Sequence, residues 1–425
     1  MKRLFLVFTV LSMLLGLSAP AIADGHCMDE LGCVEVGPDD PIVIASILAM
    51  SGPASFYGAD SLGGVELAIL GRDDMLLGRD IEVVEEDSYC AAEGGQAAAQ
   101  RVAADESIVG VIGTTCSGAA QGAMPIISEA GMLMISSSNT SPSLTNDNAD
   151  EGGTYYPGYF RTAHNDLFQG AMGAKFAVEV LKAGKVATIH DGDPYTEGLA
   201  VVMASEFAGL NGEVVFQGAV SKGDTDMSAI LTEIAASGPD LVYLPVFTPE
   251  SEFLVSQAAN TPGLENVTMM TADGSFNADF GPNIGQAAAG VVMTGPHVSG
   301  EAYQEFLVMW AEEQPGGTDT PPSGFHAHAY DATNLLLDAV EAVAKEMDDG
   351  TLIIGRQALR DAMAAVEDYA GLTGTLTCQE APLYMGDCAT GTALAVFEIG
   401  EAQVNEGAWP PPIIWDLSMS MASDG

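Results

Sequence analysis

From residue 42 onward, short apolar runs of strand length alternate with longer stretches of helical period. The first series predicts strands at 42–48, 81–86, 108–112 and 132–136, separated by helices at 59–74, 93–105 and 118–130. Strands that alternate with helices in this way form parallel sheets whose faces the helices cover. The alternation therefore predicts an α/β fold.

A second series of the same kind begins after Arg161. Its predicted strands are 185–190, 214–217, 241–247, 267–271 and 290–294, and its predicted helices are 168–181, 197–210, 227–236 and 250–260. Further helices are predicted at 301–313, 326–347 and 356–366, before two last strands at 372–377 and 393–399. About 400 residues are too many for one hydrophobic core. The two series thus predict two Rossmann-like lobes, each with a parallel-type sheet flanked by helices.

The first 23 residues have the pattern of a secretory signal peptide. A basic start at Lys2 and Arg3 precedes an apolar run over 4–17, and small residues at 21–23 offer a cleavage site. The run is shorter than the roughly 20 residues that a membrane-spanning helix needs. We therefore expect a mature protein that begins near Asp24 and lies in the periplasm or another extracytoplasmic compartment.

The charge balance is strongly acidic, with 13 Lys and Arg residues against 59 Asp and Glu residues and a net charge of −46. Nucleic-acid binding needs clustered Lys and Arg to contact phosphates, so this class of partner is excluded. The acidity itself has two interpretations, a solvated acidic surface or a site for a cationic ligand. We favour the surface because the acids are spread along the whole chain.

All six cysteines lie beyond the signal peptide, and in an oxidising compartment an even number favours disulfides. Six cysteines allow 15 connectivities, of which pairing between sequence neighbours is the simplest. Metal binding is the alternative, but there is no C-x-x-C spacing and the histidines are scattered. We expect the cysteines to staple loops. They are Cys27, Cys33, Cys90, Cys116, Cys378 and Cys388.

Loops rich in hydroxyl groups follow the predicted strands of the first series, at the sheet edge where open α/β folds bind ligands. Ser117 opens a predicted helix whose free N–H groups attract a carboxylate, and Ser138 and Thr140 follow the next strand. In the second series Asp273 can pair with an ammonium group. Each residue also has a purely structural interpretation, as a helix cap, a self-bonded loop residue or a turn residue. Hydroxyls in one lobe and an acid in the other are what a zwitterion held between lobes requires.

Several segments then occur in an order and spacing typical of one family. They are 47–53, 56–58, 111–113, 116–117, 131–136, 189–191 and 195–198, with the sequences ILAMSGP, FYG, VIG, CS, GMLMIS, IHD and YTEG. In these segments the chain resembles the branched-chain amino-acid (Leu/Ile/Val) binding proteins of ABC importers, which are type I periplasmic binding proteins. The resemblance runs from about residue 41 to 400. It implies two lobes joined by three crossovers, near Asn165, Gly295 and Thr373, with the ligand in the cleft between them.

The same resemblance implies a division of the chain into lobes. The first lobe comprises 42–164 and 296–372, and the second comprises 165–295 and 373–425. Residues 1–23 are the signal peptide and 24–41 an acidic N-terminal extension.

The ligand-binding residues of the family resemble seven positions of this chain. Ser117 and Thr140 correspond to hydroxyls that bind the ligand carboxylate, and the backbone of Ser138 corresponds to an acceptor for the ligand ammonium. The aromatic wall of the family resembles Tyr57. The second-lobe contacts resemble Tyr195, Phe247 and Asp273.

The resemblance also pairs Cys90 with Cys116, as in the loop disulfide of the family. Two positions depart from the family pattern, because that of Phe247 often carries Tyr and that of Asp273 often carries Glu. The Cys27 to Cys33 region and the Cys378 to Cys388 loop match no feature of its better-known members.

We expect a binding protein without enzymatic activity, cofactor or metal, because the chain has no G-x-S-x-G, H-E-x-x-H or P-loop motif. His326 and His328 remain as candidates for a metal pair, although histidines at helix starts are far commoner. The expected ligand is an amino acid, branched-chain or otherwise apolar, and the expected partners are ABC importer permease subunits that a monomer contacts at the membrane surface. A sensor subunit for a membrane receptor, or a binder of an amide, urea or another small polar solute, is the alternative.

Overall fold

The computed structural model describes residues 27–379, 385–389, 391, 393–417 and 419. Its strands are β1 (Cys33–Val36), β2 (Ile42–Leu48), β3 (Met75–Leu76), β4 (Arg79–Asp87), β5 (Ile108–Gly113), β6 (Leu133–Ser136), β7 (Tyr159–Arg161), β8 (Lys185–His190), β9 (Glu213–Ala219), β10 (Leu241–Tyr243), β11 (Thr268–Thr271), β12 (Val292–Pro296), β13 (Lys345–Glu346), β14 (Leu352–Gly355), β15 (Tyr369–Gly371), β16 (Gly374–Leu376), β17 (Leu394–Glu398) and β18 (Ile413–Trp415). Its α-helices are α1 (Ser55–Leu70), α2 (Ala92–Ala103), α3 (Ser117–Glu129), α4 (Asp166–Glu179), α5 (Pro194–Gly209), α6 (Ser228–Ser237), α7 (Glu250–Ala258), α8 (Phe280–Ile284), α9 (Glu301–Glu313), α10 (His326–Val343), α11 (Arg356–Ala364) and α12 (Glu401–Glu406).

The first lobe is built on a six-stranded sheet in the order β3-β4-β2-β5-β6-β7. Its strands are parallel except for the short edge strand β3. Helices α1, α10 and α11 pack on one face and α2 and α3 on the other, each contributing a stripe of buried apolar side chains. Both faces of the sheet are thus buried, which explains why its central strands read as continuous apolar runs.

The second lobe is built on a seven-stranded sheet in the order β18-β17-β12-β11-β10-β8-β9. The strands from β12 to β9 are parallel, whereas β17 and β18 are antiparallel. Helices α4 and α5 cover one face, and α6, α7 and α8 cover the other. Two lobes with parallel-type sheets between helices confirm the predicted fold class.

The chain crosses between the two sheets three times. The first crossover follows β7 and leads through Asn165 into α4, and the second follows β12 and leads into α9. The third falls later than the expected position near Thr373. Residues 369–376 form the hairpin β15–β16 rather than one strand, with its turn at Leu372 and Thr373. Cys378 and Cys388 then pack in the core of the first lobe, so the chain reaches the second sheet only at β17.

Short strands near the ends of the chain were missed by the sequence analysis. The expected N-terminal extension contains β1, which pairs antiparallel with β14, and β14 pairs with β13. Helix α10 accordingly ends at Val343 rather than continuing to 347. A strand of four residues whose partner lies more than 300 residues away leaves little periodic signal in the sequence.

The cysteines pair between sequence neighbours, as Cys27–Cys33, Cys90–Cys116 and Cys378–Cys388. This confirms the simplest of the connectivities. The predicted signal peptide lies outside the described residues. Among the helices that the structure describes, none has both the length and the apolar composition to span a membrane.

Candidate functional site

A small cavity lies between the two lobes, at the carboxyl ends of strands from both sheets. Six of the seven predicted site residues line it, and Thr140 does not. The lining residues are Tyr57, Thr115, Cys116, Ser117, Ser138, Tyr195, Phe247, Asp273, Gly274 and Phe325.

The first-lobe side of the cavity is formed by the loops after β5 and β6. Ser117 is the first residue of α3, and its Oγ accepts a hydrogen bond from the backbone N–H of Ser141 at 3.3 Å. Ser138 Oγ donates to the backbone oxygen of Thr115 at 3.0 Å. These bonds tie the two loops together at the N-terminus of a 13-residue helix. Such a terminus, with its free N–H groups and positive dipole end, suits a carboxylate.

Thr115 lines the cavity but was not predicted. Its Oγ1 accepts a hydrogen bond from the backbone N–H of Ala49 at 2.9 Å and so anchors the loop after β2. The Cys90–Cys116 disulfide fixes the next residue along the chain. The sequence signal for Thr115 was its position beside Ser117 in the same hydroxyl-rich loop.

The second-lobe side of the cavity centres on Asp273, which follows β11 and is 4% exposed. Its Oδ1 accepts hydrogen bonds from Gln169 Nε2 at 2.6 Å and from Tyr195 OH at 3.0 Å. Burial raises the pKa of Asp273 to about 6, against the opposing effect of these two hydrogen bonds. The carboxylate charge is therefore preserved at neutral pH although the group is removed from water.

Gln169 orients this carboxyl group. Its amide nitrogen also donates to Thr294 Oγ1 at 3.0 Å, and its Oε1 lies 2.6 Å from His164 Nε2. Burial lowers the pKa of His164 to about 4, so the ring is neutral at pH 7 and Nε2–H donates to Gln169. Gln169 lies one helical turn inside α4, where the sequence gives no sign of a site.

Asp166, at the start of α4, is a second buried acid beside the site that was not predicted. Neither of its carboxyl oxygens, nor Thr140 Oγ1, has a well-formed hydrogen bond to a described residue. Burial and the neighbouring charge of Asp273 hold the pKa of Asp166 well above its usual value.

Thr140 lies behind the cavity wall rather than in it. Its backbone oxygen accepts a hydrogen bond from the N–H of Asp166 at 3.0 Å, and its side chain is buried. The structure thus places its hydroxyl with the Asp166 carboxyl group.

Aromatic rings form the remaining wall. The ring of Phe247 lies 5.1 Å from that of Tyr195 and 6.2 Å from that of Tyr57, between ring centres. Tyr57 OH donates to the backbone oxygen of Asp273 at 2.6 Å, a direct bond between the lobes. Phe325 completes the wall and was not predicted. Its position is set by Asp60, whose Oδ2 accepts from the Phe325 N–H at 2.7 Å.

His326 and His328 do not form a joint site. His326 Nδ1 lies 3.0 Å from Asp60 Oδ1, and its Nε2 lies 2.7 Å from Tyr303 OH. His328 is buried, and burial holds its pKa well below the usual value. No cluster of His, Cys, Asp and Glu within the described part of the chain is arranged to hold a metal ion.

Residues 41–392 match the family model described as periplasmic binding protein. The chain belongs to this family. As a periplasmic binding protein, it is a solute-binding protein.

This periplasmic binding protein is similar both to proteins named for branched-chain amino acids and to one in complex with an aromatic acid. A Leu/Ile/Val-binding protein of Escherichia coli (strain K12) is 30% identical over 259 residues, which cover 60% of this chain and 68% of that protein. A leucine binding protein from Thermotoga maritima superposes with a TM-score of 0.74 at 23% identity, covering 89% of this chain and 99% of that one. A solute binding protein from R. palustris in complex with 4-hydroxybenzoate gives 0.70 at 21% identity, covering 88% and 96%. At such identities the two structures support the fold and not a particular ligand.

Proposed function

We propose that the protein binds a zwitterionic amino acid with an apolar side chain between its lobes and delivers it to the permease subunits of an ABC importer. The observation that carries this proposal is the pairing of Ser117 and Asp273 on opposite sides of one small cavity. A hydroxyl at a helix N-terminus and a buried carboxyl group complement the two ends of an α-amino acid.

Two buried acids beside the cavity favour a ligand that carries an ammonium group. Asp166 and Asp273 are both buried, and the pKa of each is raised because burial disfavours the ionised form. At neutral pH Asp273 carries a negative charge, and burial together with this charge disfavours ionisation of Asp166. One ammonium group balances this charge. A ligand with a carboxylate and no cation, such as benzoate, would leave it unbalanced in a dry site.

The rings of Tyr57, Phe247 and Phe325 favour a ligand with an apolar side chain. Phe247 has no hydroxyl group, so its part of the wall offers no hydrogen bond to a polar side chain. The Tyr57 hydroxyl is already bonded to Asp273. This wall fits an aliphatic side chain better than an amide or urea.

The proposal is tested by a binding screen on protein that has been unfolded and refolded to remove trapped ligand. L-Leucine, L-isoleucine, L-valine, benzoate and urea are compared by thermal shift and calorimetry. A ligand at 100 times its Kd stabilises the folded state by about 2.7 kcal/mol. We expect this response from the amino acids. Binding of benzoate or urea without any response to amino acids would contradict the proposal.

A substitution separates the role of Asp273 from general stability. Asp273→Asn should weaken L-leucine binding by about 2 to 5 kcal/mol, because it removes the charge that pairs with the ammonium group. Asp273→Glu, which restores the carboxylate, should recover part of the affinity. Asp279→Asn is the matched control, since Asp279 is an exposed acid of the same lobe. Equal Kd values for Asp273→Asn and the control would refute the assignment.

A further inference from the structure

Only 13 of the 425 residues are Lys or Arg, and one of them, Lys222, lies at the mouth of the cleft. It follows β9 in the second lobe, and its Nζ lies 3.0 Å from Asp193 Oδ2. The same Nζ lies 5.7 Å from the centre of the Phe247 ring, which lines the cavity. One cation therefore contacts both a wall residue of the cavity and a buried acid.

Asp193 is held in a defined orientation by this lysine and by its own helix. It is the N-cap of α5, and its Oδ1 accepts from the backbone N–H of Tyr195 at 3.1 Å. The Asp193 side chain is 2% exposed, whereas that of Lys222 is 47% exposed. Burial raises the pKa of Asp193, and the Lys222 ammonium opposes this rise. The ion pair thus keeps a charged carboxylate at a place where water is largely excluded.

Across the cleft, this carboxylate packs against the first turn of α3 in the first lobe. A Cβ atom built on Gly118 would lie 2.5 Å from Asp193 Oδ2, so a larger residue at position 118 would displace this carboxylate. The next residue of α5 takes part in a second contact between the lobes, since Ser141 Oγ donates to the backbone oxygen of Pro194 at 3.0 Å. The positive end of the α3 dipole attracts the Asp193 carboxylate as it would attract a ligand carboxylate.

We propose that Asp193 and Lys222 form a closure latch, in which the Asp193 carboxylate docks at Gly118 when the lobes close and Lys222 neutralises it. Without Lys222, the Asp193 charge would repel the ligand carboxylate that the proposed function places at the same helix terminus. Lys222 is therefore a positioning residue for the closed, ligand-bound state. The latch rests on the proposed function only for the carboxylate it shields, because the contact between Asp193 and Gly118 is made by two residues of the chain and does not involve the ligand.

The test compares four variants of the mature protein with the wild type. Lys222→Met keeps the aliphatic stem and removes the charge, and Gly118→Ala blocks the approach of Asp193. Lys175→Met is the matched control, because Lys175 forms an exposed ion pair with Glu179 on the surface of the same lobe. The double variant Asp193→Asn/Lys222→Met removes both charges. Kd for L-leucine is measured by calorimetry, and the radius of gyration by X-ray scattering with and without L-leucine.

We expect Lys222→Met to raise the Kd for L-leucine on the order of tenfold, as loss of one partner of a partly buried ion pair implies. The double variant should recover most of the affinity, because it leaves no unpaired acid beside the ligand. A merely structural role for Lys222 predicts no such rescue. Gly118→Ala should show the larger radius of the open form at L-leucine concentrations that close the wild type.

Two results would overturn the latch. One is a Kd for Lys222→Met within twofold of the Lys175→Met value. The second result concerns a wild type that binds no L-leucine, which would show that the proposed ligand is wrong. In that case the latch is tested by the radii of gyration of the ligand-free proteins. Larger radii for Lys222→Met and Gly118→Ala than for the wild type then support the latch, and equal radii refute it.

Discussion

Asp166 and Asp273 are two acids buried at the same side of the cleft, close enough for the charge of one to raise the pKa of the other. Such a pair takes up and releases protons as a unit rather than as two independent groups. The negative charge of Asp273 is the feature that couples ligand binding to pH. The following two predictions depend on this pair.

The affinity for L-leucine should depend on pH through Asp273. Its pKa is raised to about 6 by burial, so the carboxylate is present above pH 6 and lost below it. An ammonium ligand binds the ionised form, and Kd should therefore rise about tenfold for each pH unit below about 6. Calorimetry from acid to neutral pH measures this. A constant Kd across that range would show that Asp273 does not bind the ammonium group.

Asp166→Asn should stabilise the ligand-free protein at alkaline pH, because burial and the charge of Asp273 disfavour the ionised form of Asp166. An acid whose pKa is raised on folding lowers stability once the pH exceeds its unfolded value of about 3.9, and the loss grows as the pH rises. The asparagine variant should thus melt at a higher temperature than the wild type at pH 8 and at a similar one near pH 4. Melting curves at both pH values test this, and a lower melting temperature at pH 8 would contradict it.

The sequence predicted the site residues that directly follow strands. It did not predict those whose roles depend on contacts with residues far away in the sequence. Ser117, Ser138 and Asp273 each follow a strand, and the structure brings them to one cavity. Gln169 and Phe325 lie within or just before helices, where nothing local distinguishes them from packing residues. Their roles arise from contacts with Asp273 and Asp60, which lie 104 residues from Gln169 and 265 residues from Phe325 in the sequence.

Strand β7 ends at Arg161, whose side chain holds the loop that follows β6. Its Nη1 donates to the backbone oxygens of Asn139 at 3.0 Å and Ser141 at 2.7 Å. Its charge is balanced by Asp387, from the loop closed by Cys378–Cys388, and Asp387 also accepts from Asn165 Nδ2 at the first crossover. This disulfide loop therefore supports the segment that carries Ser138.

Asp387→Asn should lower the free energy of unfolding by about 3 to 5 kcal/mol, because it leaves the fully buried Arg161 without a counter-charge. The control is Asp338→Asn, which removes one of two acidic partners of Arg72 near the surface and should cost less than about 1 kcal/mol. Urea unfolding of both variants provides the measurement. Similar losses for the two would contradict the role assigned to Arg161.

Long, periodic elements were predicted well, whereas short ones were not. Strands β2 and β8 and helix α9 have the expected bounds, because each is a full apolar run or a full amphipathic period. The predicted strand at 241–247 stops at Tyr243, since the apolar residues after it continue into the loop that carries Phe247 to the cleft. An apolar run cannot distinguish a strand from the buried loop that extends it.

The acidity of the molecule has a consequence for its stability in salt. With a net charge of −46, the folded state repels itself, and the repulsion is screened as ionic strength rises. The melting temperature should therefore rise between about 0.1 M and about 1 M NaCl, over which the Debye length falls from about 10 Å to about 3 Å. Glucose at equal osmolarity is the control. A melting temperature that responds equally to both would show that charge repulsion is not the cause.

The three crossovers impose an order on how the molecule can assemble as it is synthesised. The strands β2, β4, β5, β6 and β7 emerge first, but the helices α10 and α11 that cover one face of their sheet emerge only after β12. By the time α10 emerges, all the parallel strands of the second sheet, β8 to β12, have been synthesised. The parallel part of the second lobe can thus form before α10 and α11 cover the first sheet, whose apolar face stays partly open to chaperones until the last quarter of the chain arrives.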